Sequence, residues 1–262
     1  MKIGVLQFNP LFGEKEKNFE KVKIMLKGTT ADIIVLPELF NTGYTFLNKD
    51  ELARLAEPAA DGETFNFMSS LAKETGCCFA YGFAEKNNDA FYNSSALVSP
   101  SGMIGVYRKM HLYFEEKKFF KPGNRGFPIF EYKGIKVGML VCFDWIYPEA
   151  MRTLALKGAQ IILHSANLVM PYCPDAHKTR ALENRVYIAL ANRIGEEKRN
   201  GKNFKFIGQS EVVSPEGEIL VRADADEECV KVCEIKPETA LNKKLNQYND
   251  LLADRRKEFY FK

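Results

Sequence analysis

The sequence predicts a layered α/β protein, because strand-like and helical patterns alternate in two blocks that a run of strands separates. The first block opens with a buried-strand pattern over residues 2–9 and a helical pattern over 16–28. The second block contains apolar strand patterns over 134–142 and 159–167, each followed by a helical pattern. Alternation of this kind is typical of sheets whose outer faces are covered by helices.

The first half of the chain divides into elements at clear turn signals. An apolar run over 31–39, interrupted at Pro37, indicates a strand that is buried on both faces. Two helical patterns follow near 49–56 and 63–75, and a cap-like Asp-Gly-Glu sequence opens the second. The run of strands comes next and covers 77–85, 91–99 and 102–109.

The second half predicts further strands and helices after a polar loop over 110–127. These elements are a strand over 134–142, a helix over 148–157, a strand over 159–167, a helix over 174–185, a strand over 186–193, and strands near 206–213, 218–222 and 228–235. Two helix-covered sheets packed face to face would form a four-layer α-β-β-α sandwich, although a single doubly wound sheet fits the same pattern. No linker or repeat interrupts the pattern, so one domain is expected over residues 1–262.

The charge balance argues against nucleic acid and anionic membranes as partners. Lys and Arg total 37 and Asp and Glu total 34, which leaves a net charge of only +3. No stretch approaches the roughly 18 consecutive apolar residues of a membrane span. The chain starts with a strand-like segment rather than an apolar signal sequence, so a cytoplasmic protein is expected.

The six cysteines are expected to be reduced thiols, as is normal in the cytoplasm. None of them forms a CxxC pair or a recognisable zinc-binding spacing, so no metal site is predicted. Cys77 and Cys78 are adjacent in a predicted strand. Adjacent strand residues point to opposite faces of a sheet, which disfavours a disulfide between these two.

Cys142 is the candidate nucleophile. It ends the predicted strand over 134–142, and Pro148 then opens a helix. A nucleophile on a sharp strand-to-helix turn is exposed at the edge of a sheet, and a helix N-terminus favours negative charge there. This position is expected to lower the pKa of the thiol, although a free cysteine could equally be a small buried core residue.

A cysteine nucleophile needs a base and a group that stabilises the oxyanion, and Glu38 and Lys109 are the candidates. Glu38 follows one apolar strand and Lys109 ends another, so both charges lie at strand ends rather than on a solvated helix face. A carboxylate in a dry position can act as acid and base in turn. Taken alone, Glu38 could instead cap a helix or form an ion pair, and Lys109 could be an exposed edge residue.

The three histidines are weaker candidates for the base. His111 follows Lys109 by two positions and would share its strand face if the strand continues, which leaves a Cys-His pair open. His164 lies within an apolar strand pattern and is expected to be a hydrogen-bonded structural residue. His177 lies on a predicted helix and is expected to be a surface or packing residue.

Three segments together resemble the nitrilase superfamily, the carbon–nitrogen hydrolases with a Glu-Lys-Cys triad. The segments are LPELFNTGY (36–44), YRKMHL (107–112) and GMLVCFDWIYPE (138–149). Flanking segments extend the resemblance across nearly the whole chain, and these are KIGVLQFNP at the start, YNSSALVSPSG (92–102), FFKPG (119–123) and RALENRVYIALANR (180–193). Because the motifs occur in order and with fitting spacing, the chain is identified as similar to this superfamily.

The resemblance implies a four-layer α-β-β-α sandwich that assembles as a homodimer or a higher homo-oligomer. It also implies that Glu38, Lys109 and Cys142 are catalytic, with no metal and no cofactor. The family commonly carries a second glutamate between the lysine and the cysteine. In HLYFEEKKFFKPG that position matches Glu116 better than Glu115, judged by its distance from the two phenylalanines.

The reaction that the resemblance implies is hydrolysis of a non-peptide carbon–nitrogen bond through a Cys142 thioester. Glu38 would act as base and acid, and Lys109 with the backbone N–H of Phe143 would hold the oxyanion. Loop side chains expected around the nucleophile are Tyr44, Trp145, Asn167 and Tyr172. The favoured substrates are small aliphatic amides or nitriles. N-carbamoyl compounds, ω-amides, acyl transfer to an amine and a non-enzymatic binding role are the alternatives.

The C-terminal segment 241–262 has no evident core role in the sequence and is rich in Asn, Lys and Arg. It also contains Tyr248, Phe259, Tyr260 and Phe261. Exposed aromatic side chains are typical of subunit interfaces, so the segment is expected to contribute to a homo-oligomer.

Overall fold

The computed structural model describes residues 1–260, and within them it has two six-stranded mixed sheets and a separate hairpin. The first sheet contains, in spatial order, β14 (Cys229–Glu234), β1 (Lys2–Gln7), β2 (Ile33–Val35), β3 (Cys78–Asn87), β4 (Ala90–Ser99) and β5 (Gly102–Arg108). The second contains β13 (Ile219–Arg222), β12 (Glu211–Val213), β9 (Tyr187–Ala191), β8 (Ile161–Ser165), β7 (Ile135–Val141) and β6 (Ile129–Tyr132). The hairpin consists of β10 (Glu196–Arg199) and β11 (Lys202–Lys205).

Six α-helices connect the strands of the described residues. They are α1 (Lys15–Leu26), α2 (Lys49–Leu55), α3 (Glu63–Thr75), α4 (Glu116–Phe119), α5 (Pro148–Leu156) and α6 (Tyr172–Asn184). The side chain of Asn48 caps α2 by accepting a 2.8 Å hydrogen bond from the backbone N–H of Glu51. Gly76 ends α3 in the left-handed conformation, with φ of 72°.

The two sheets pack face to face, and the helices cover their outer faces. The central core combines side chains of both sheets, among them Ile3, Val5, Val35, Ala80 and Leu97 from the first and Val137, Met139, Val141, Leu163 and Ala189 from the second. A second cluster packs the first sheet against α1 and α3, and a third packs the second sheet against α5 and α6. The predicted four-layer α-β-β-α sandwich is therefore confirmed, and a single doubly wound sheet is excluded.

Parallel strands at the centre of each sheet bring chain segments together at one edge. β1, β2 and β3 run parallel in the first sheet, and β7, β8 and β9 run parallel in the second. In the second sheet Val141 pairs with Ser165, and Ser165 pairs with Ala191, so the three strands end at the same level. The segments that follow them therefore meet at this edge, where α/β sheets place their sites.

The predicted alternation of Cys77 and Cys78 is confirmed. Cys78 belongs to the core between the two sheets, whereas Cys77 belongs to the cluster between the first sheet and its helices. The two thiols therefore lie on opposite faces, and all six cysteines of the chain are free.

The structure adds three short strands to the predicted elements. β6 is an edge strand within a segment that the sequence did not assign, and β10 and β11 form a charged hairpin. The hairpin turns at Asn200-Gly201, where both residues have positive φ, of 49° and 76°. An Asn-Gly pair is a strong hairpin signal that the charged composition of this segment obscured. The strand predicted over 206–213 begins only at Glu211, because Gly208 and Gln209 have positive φ and break the extended backbone.

Two further expectations concern the surface. No helix within residues 1–260 combines the length and the apolar character that a membrane span requires. In the C-terminal segment, Tyr248 is 83% exposed and Phe259 is 61% exposed. Phe261, which belongs to the same predicted aromatic group, lies outside the described residues.

Candidate active site

Three strand ends bring a carboxylate, an ammonium group and a thiol to the same place. Glu38 follows β2, Lys109 follows β5 and Cys142 follows β7. The Lys109 Nζ atom donates a 2.7 Å hydrogen bond to Glu38 Oε1. The charges of Glu38 and Lys109 both act on the pKa of Cys142, so the thiol lies within their electrostatic range. Residues separated by up to 104 positions in the sequence thus share one buried site.

Lys109 is completely buried between two carboxylates. Its Nζ atom donates one hydrogen bond to Glu38 and a second, also of 2.7 Å, to Glu116 Oε1. Burial acts to lower the pKa of this ammonium group, but the two carboxylates outweigh burial and raise the pKa above its ordinary value. Lys109 is therefore a fixed positive charge at the site.

Glu38 has one oxygen engaged and one oxygen free. Its Oε1 atom accepts hydrogen bonds from Lys109 and, at 2.6 Å, from the Asn93 side-chain amide. Its Oε2 atom is buried and has no hydrogen-bond partner among the described residues. The backbone approaches β3 closely at this point, since a Cβ atom on Gly82 would lie 2.4 Å from Glu38 Cα. The free oxygen leaves Glu38 able to accept a proton.

Glu116 begins α4 and is also buried. Besides Lys109, its carboxylate accepts hydrogen bonds from the Tyr44 hydroxyl at 2.8 Å and from the backbone N–H of Tyr113 at 3.2 Å. Burial raises the pKa of Glu116 to about 7, although Lys109 acts in the opposite direction. The structure thus brings Glu116 to the lysine, whereas Glu115 forms ion pairs with Lys118 and Lys202.

Cys142 has a strained backbone conformation that places it in a sharp turn. Its φ is 43°, in the left-handed region that non-glycine residues rarely adopt, and it opens a short 3₁₀ turn that ends at Ile146. The buried carboxylate of Asp144 supports the turn by accepting hydrogen bonds from the Val141 N–H at 3.0 Å and the Tyr107 hydroxyl at 2.8 Å. The predicted strand-to-helix turn is present, with this 3₁₀ segment between β7 and α5.

The expectation of a lowered pKa for Cys142 is wrong. Burial raises the pKa of the thiol well above its ordinary value, and Glu38 raises it further. Lys109 and a hydrogen bond from the backbone N–H of Asn167 act in the opposite direction but do not outweigh these effects. The resting thiol therefore keeps its proton and needs a base.

The histidines have other partners. β5 ends at Arg108, so His111 does not share a strand face with Lys109. The His111 Nδ1 atom lies 2.8 Å from Asp144 Oδ1. The His111 ring stacks on the ring of Tyr147, with 3.8 Å between the centroids. His164 is hydrogen bonded and buried, as predicted. His177 is completely buried, so its surface alternative is wrong.

A small pocket opens beside the Cys142 side chain. Its atom-free volume is about 270 Å³, and it is lined by Tyr113, Cys142, Phe143, Trp145, Asn167, Leu168, Val169 and Met170. Tyr44 lines a different pocket together with Glu116, and its hydroxyl contacts the site through that carboxylate. Tyr172 is 63% exposed and is not part of the pocket wall.

Asn167 is the polar residue of this mostly apolar pocket. The side chain is 97% buried, with 3% exposed, yet neither its oxygen nor its nitrogen has a hydrogen-bond partner among the described residues. Buried amides without partners are costly, and such groups are typical of ligand sites.

Asn93 is the functional candidate that sequence reasoning missed. It lies in the YNSSALVSPSG segment, where the resemblance alone gave it no role.

Comparison with known proteins identifies the family. The model of the family described as carbon-nitrogen hydrolase matches residues 2–242. The chain is 46% identical over 265 residues, 100% of each chain, to a protein named nitrilase from Pyrococcus abyssi. It is 34% identical over 233 residues to an (R)-stereoselective amidase of a Pseudomonas species, which covers 87% of this chain and 82% of the amidase.

The fold agrees with that assignment. The crystal structure of a carbon–nitrogen hydrolase from Helicobacter pylori G27 superposes with a TM-score of 0.90 and 28% sequence identity. The match covers 99% of this chain and 97% of the other. On the family match and the sequence identities, this chain is an enzyme of the carbon–nitrogen hydrolase family, within the nitrilase superfamily.

Proposed function

We propose that the protein hydrolyses a small uncharged amide or nitrile through a thioester on Cys142, with Glu38 as base and acid and Lys109 as oxyanion cation. The observation that carries the proposal is the buried Lys109 ammonium, which joins Glu38 and Glu116 at 2.7 Å each beside the thiol. Buried charges are retained where they are paired or used in chemistry.

The first step is transfer of the Cys142 proton. The thiol is protonated at rest, because burial and the charge of Glu38 raise its pKa. Glu38 Oε2 is the buried acceptor without a partner among the described residues, so it takes the proton as sulfur attacks the substrate carbon. Asn93 and Lys109 hold the other oxygen and thereby fix the orientation of the carboxylate.

The second step is stabilisation of the negative charge that develops on the substrate oxygen or nitrogen. The Lys109 ammonium and the backbone N–H of Phe143 stabilise this charge. Lys109 lies near the nucleophile in space, and Phe143 follows it in the sequence. A preorganised donor in a dry site typically contributes about 10²–10³ in turnover. The positive charge does not have to reorganise, because Glu38 and Glu116 already hold Lys109 in place.

The cycle ends with proton transfers through Glu38. With an amide, Glu38 returns its proton to the leaving nitrogen, so that ammonia departs and the thioester remains on Cys142. With a nitrile, attack by the thiol first gives a thioimidate, and a water activated by Glu38 must add to it before ammonia leaves and the thioester forms. Glu38 then removes a proton from a further water, whose oxygen attacks the thioester; the carboxylic acid is released and Cys142 regains the proton from Glu38. Glu116 orients the substrate nitrogen and, through its negative charge near Glu38, keeps the site able to hold a proton.

The pocket supports an uncharged substrate. Its lining contains aromatic and aliphatic side chains and Asn167, but no lysine, arginine or histidine. A carboxylate-bearing ω-amide or N-carbamoyl amino acid would need a cationic partner there. The Asn167 amide can instead donate to and accept from a neutral polar group. A small aliphatic amide or nitrile suits this pocket lining better than these charged substrates do.

Ammonia release tests the proposal. Purified protein is incubated with propionamide, propionitrile, an ω-amide and an N-carbamoyl amino acid, with Cys142→Ala as the blank. We expect Cys142-dependent release from the neutral amide or nitrile and a thioester adduct, detected by mass spectrometry, in an acid-quenched reaction. Release that persists in Cys142→Ala would contradict the nucleophile. Amide formation with added amine, in place of acid, would assign the chain to acyl transfer.

We also propose that the enzyme acts in a reducing compartment, the cytoplasm, as a homodimer or higher homo-oligomer. A thioester cycle requires a reduced Cys142, and the C-terminal segment exposes Leu241, Leu245 and Tyr248. Light scattering of the full chain and of a chain that ends at residue 240 tests the second part. An unchanged mass after truncation would exclude this segment as the interface.

A further inference from the structure

Three buried electron-pair donors converge behind the candidate nucleophile. His164 lies on β8, and Cys173 and His177 lie one turn apart on α6. The His164 Nδ1 atom is 3.2 Å from His177 Nε2, and that nitrogen is 3.5 Å from the Cys173 sulfur. All three side chains are 0% exposed, and their ligand atoms lie within 4.8 Å of one another. None of these groups takes part in the proposed reaction.

The proton of His164 is fixed by its other neighbour. The His164 Nε2 atom lies 3.0 Å from the backbone carbonyl oxygen of Cys142, which can only accept a hydrogen bond. Nε2 therefore carries the proton. In a neutral imidazole the other nitrogen then has a lone pair, so the His164 Nδ1 lone pair points toward His177.

The proton of His177 is fixed in a similar way. Its Nδ1 atom lies 3.2 Å from Glu211 Oε1. The second oxygen of Glu211 accepts two hydrogen bonds from the Arg222 guanidinium, at 2.7 and 2.9 Å, which favours the ionised carboxylate. An ionised carboxylate only accepts, so the His177 proton lies on Nδ1 and the Nε2 lone pair faces His164 and Cys173.

Two imidazole lone pairs and the Cys173 sulfur thus face one another, and the Cys173 S–H is the hydrogen-bond donor among these three groups. We propose that His164, Cys173 and His177 bind one thiophilic d¹⁰ metal ion, Zn²⁺ or Cu⁺, as a structural site. On binding, the Cys173 S–H bond breaks, a sulfur–metal bond forms and the proton leaves to solvent. The lone pairs of the two histidines complete a three-ligand NNS set.

The two ligand separations that involve His177 Nε2 suit such an ion. Ligand atoms around a metal with bonds of about 2.0 Å to nitrogen and 2.3 Å to sulfur stand about 3.3–3.7 Å apart. The observed separations from His177 Nε2, 3.2 and 3.5 Å, are close to this range. Metal-bound histidines usually donate their other N–H to a carboxylate or a backbone carbonyl, and here Glu211 and the Cys142 carbonyl occupy those two places.

The ion would link two elements behind the site without entering the reaction. His164 belongs to the strand beside β7, and α6 packs on the same sheet. A metal bond between β8 and α6 therefore supports the turn at Cys142 through the His164 hydrogen bond to its carbonyl. Because the site is buried, the metal is expected to enter as the chain folds.

Metal content of the purified chain tests the proposal. Protein is produced in medium supplemented with Zn²⁺ or, under anaerobic conditions, with Cu⁺. It is purified at pH 8, and its metal content is measured by inductively coupled plasma mass spectrometry. We expect about one equivalent of one of these ions per chain, in keeping with a single three-ligand site. The Cys173→Ser variant is expected to lose at least about ten-fold of the metal, since thiolate is the anionic ligand. The Cys77→Ser variant, which changes another buried cysteine, in the cluster between the first sheet and its helices, is expected to retain it.

The competing arrangement places a proton, rather than a metal, between the two histidines. It occupies the lone pair that the metal would use, so it predicts no bound Zn²⁺ or Cu⁺. Wild-type protein that holds neither ion above the Cys173→Ser level would overturn the metal site. If Cys173→Ser does not fold, wild-type protein grown with Co²⁺ or, separately, with Cu⁺ supplies the second test, since absence of thiolate-to-metal charge-transfer absorption with both ions would overturn it as well.

Discussion

The Lys109 Nζ atom lies 2.7 Å from Glu38 Oε1, and neither side chain is exposed to solvent. The same nitrogen lies 2.7 Å from Glu116 Oε1, so two buried carboxylates share one ammonium group. Burial raises the pKa of the Cys142 thiol and of Glu116, and the charge of Glu38 raises both pKa values further. The site therefore favours proton uptake.

Replacement of the buried lysine should affect both activity and stability. In Lys109→Ala we expect turnover to fall by about 10²–10³ or more, because the oxyanion loses its cation. Glu38 and Glu116 would also lose their counter-charge, so the free energy of unfolding at neutral pH should fall by about 3–5 kcal/mol. Ammonia release and urea unfolding measure the two effects. Lys118→Ala, which removes the surface partner of Glu115, is the control. Near-normal turnover in Lys109→Ala would refute the assigned role.

The second prediction concerns the pH dependence of stability. Burial raises the pKa of Glu116 from 4.5 to about 7, so the folded chain binds more protons than the unfolded chain between these values. The contribution of Glu116 to the free energy of unfolding is therefore fully present below about pH 4.5 and is lost as the pH rises through about 7. Urea unfolding at several pH values should show this decline in the wild type.

Two variants isolate that contribution. Glu116→Gln cannot titrate, so the decline between pH 4.5 and 7 should become smaller. Glu115→Gln is the matched control, because the pKa of Glu115 is lowered by its bonds to Lys118 and Lys202 and the group does not titrate in this window. If Glu116→Gln follows the wild-type pH dependence, the buried carboxyl group is not its source.

Asn93 is expected to orient the base. Its amide donates a 2.6 Å hydrogen bond to Glu38 Oε1, and Asn93→Ala would leave that oxygen with Lys109 alone. We expect kcat to fall by about 10–100-fold with little change in KM, since a charge-assisted hydrogen bond contributes about 1.5–3 kcal/mol. Ser95→Ala, on the same strand, changes a hydroxyl whose one hydrogen bond within residues 1–260 is to the Met139 sulfur, and it should keep kcat. A change in KM alone would assign Asn93 to substrate binding instead.

Asn167 is expected to form hydrogen bonds with a polar group of the substrate. Its two buried side-chain atoms have no partners among the described residues, so a substrate group would satisfy them. In Asn167→Leu we expect kcat/KM to fall by about ten-fold or more for substrates with such a group, because the loss of a hydrogen bond costs about 1–2 kcal/mol. Steady-state kinetics with polar and purely alkyl amides would show the difference. Tyr172→Phe, outside the pocket, is the control, and an equal loss on both kinds of amide would contradict specific recognition.

Much of the candidate site could be predicted because its residues lie in contiguous motifs. Glu38, Lys109 and Cys142 each follow an apolar strand, and this local pattern alone indicates that three charged or reactive groups lie at strand ends. Asn93 could have been added, because it lies in a segment that resembles the family. The Asn200-Gly201 turn could also be predicted from the sequence, since this dipeptide favours a tight hairpin.

Other properties depend on neighbours that are distant in the sequence. The direction of the Cys142 pKa shift was wrong in the sequence-based prediction, because a helix N-terminus is a local feature whereas burial and the Glu38 charge come from the other sheet. The choice between a surface and a packing position for His177 was left open for the same reason. Its helical neighbours do not reveal that β8 and β12 enclose it through His164 and Glu211.

The sequence by itself determined the layered α/β fold, the order of most of its elements, and the residue types available for chemistry, because hydrophobic period and turn residues act over short stretches of chain. Only the tertiary structure decided that Lys109 bridges Glu38 and Glu116, and that His164, Cys173 and His177 meet behind Cys142. Electrostatic and hydrogen-bond energies depend on distances of a few ångströms, and those distances are set by packing between segments that lie far apart along the chain.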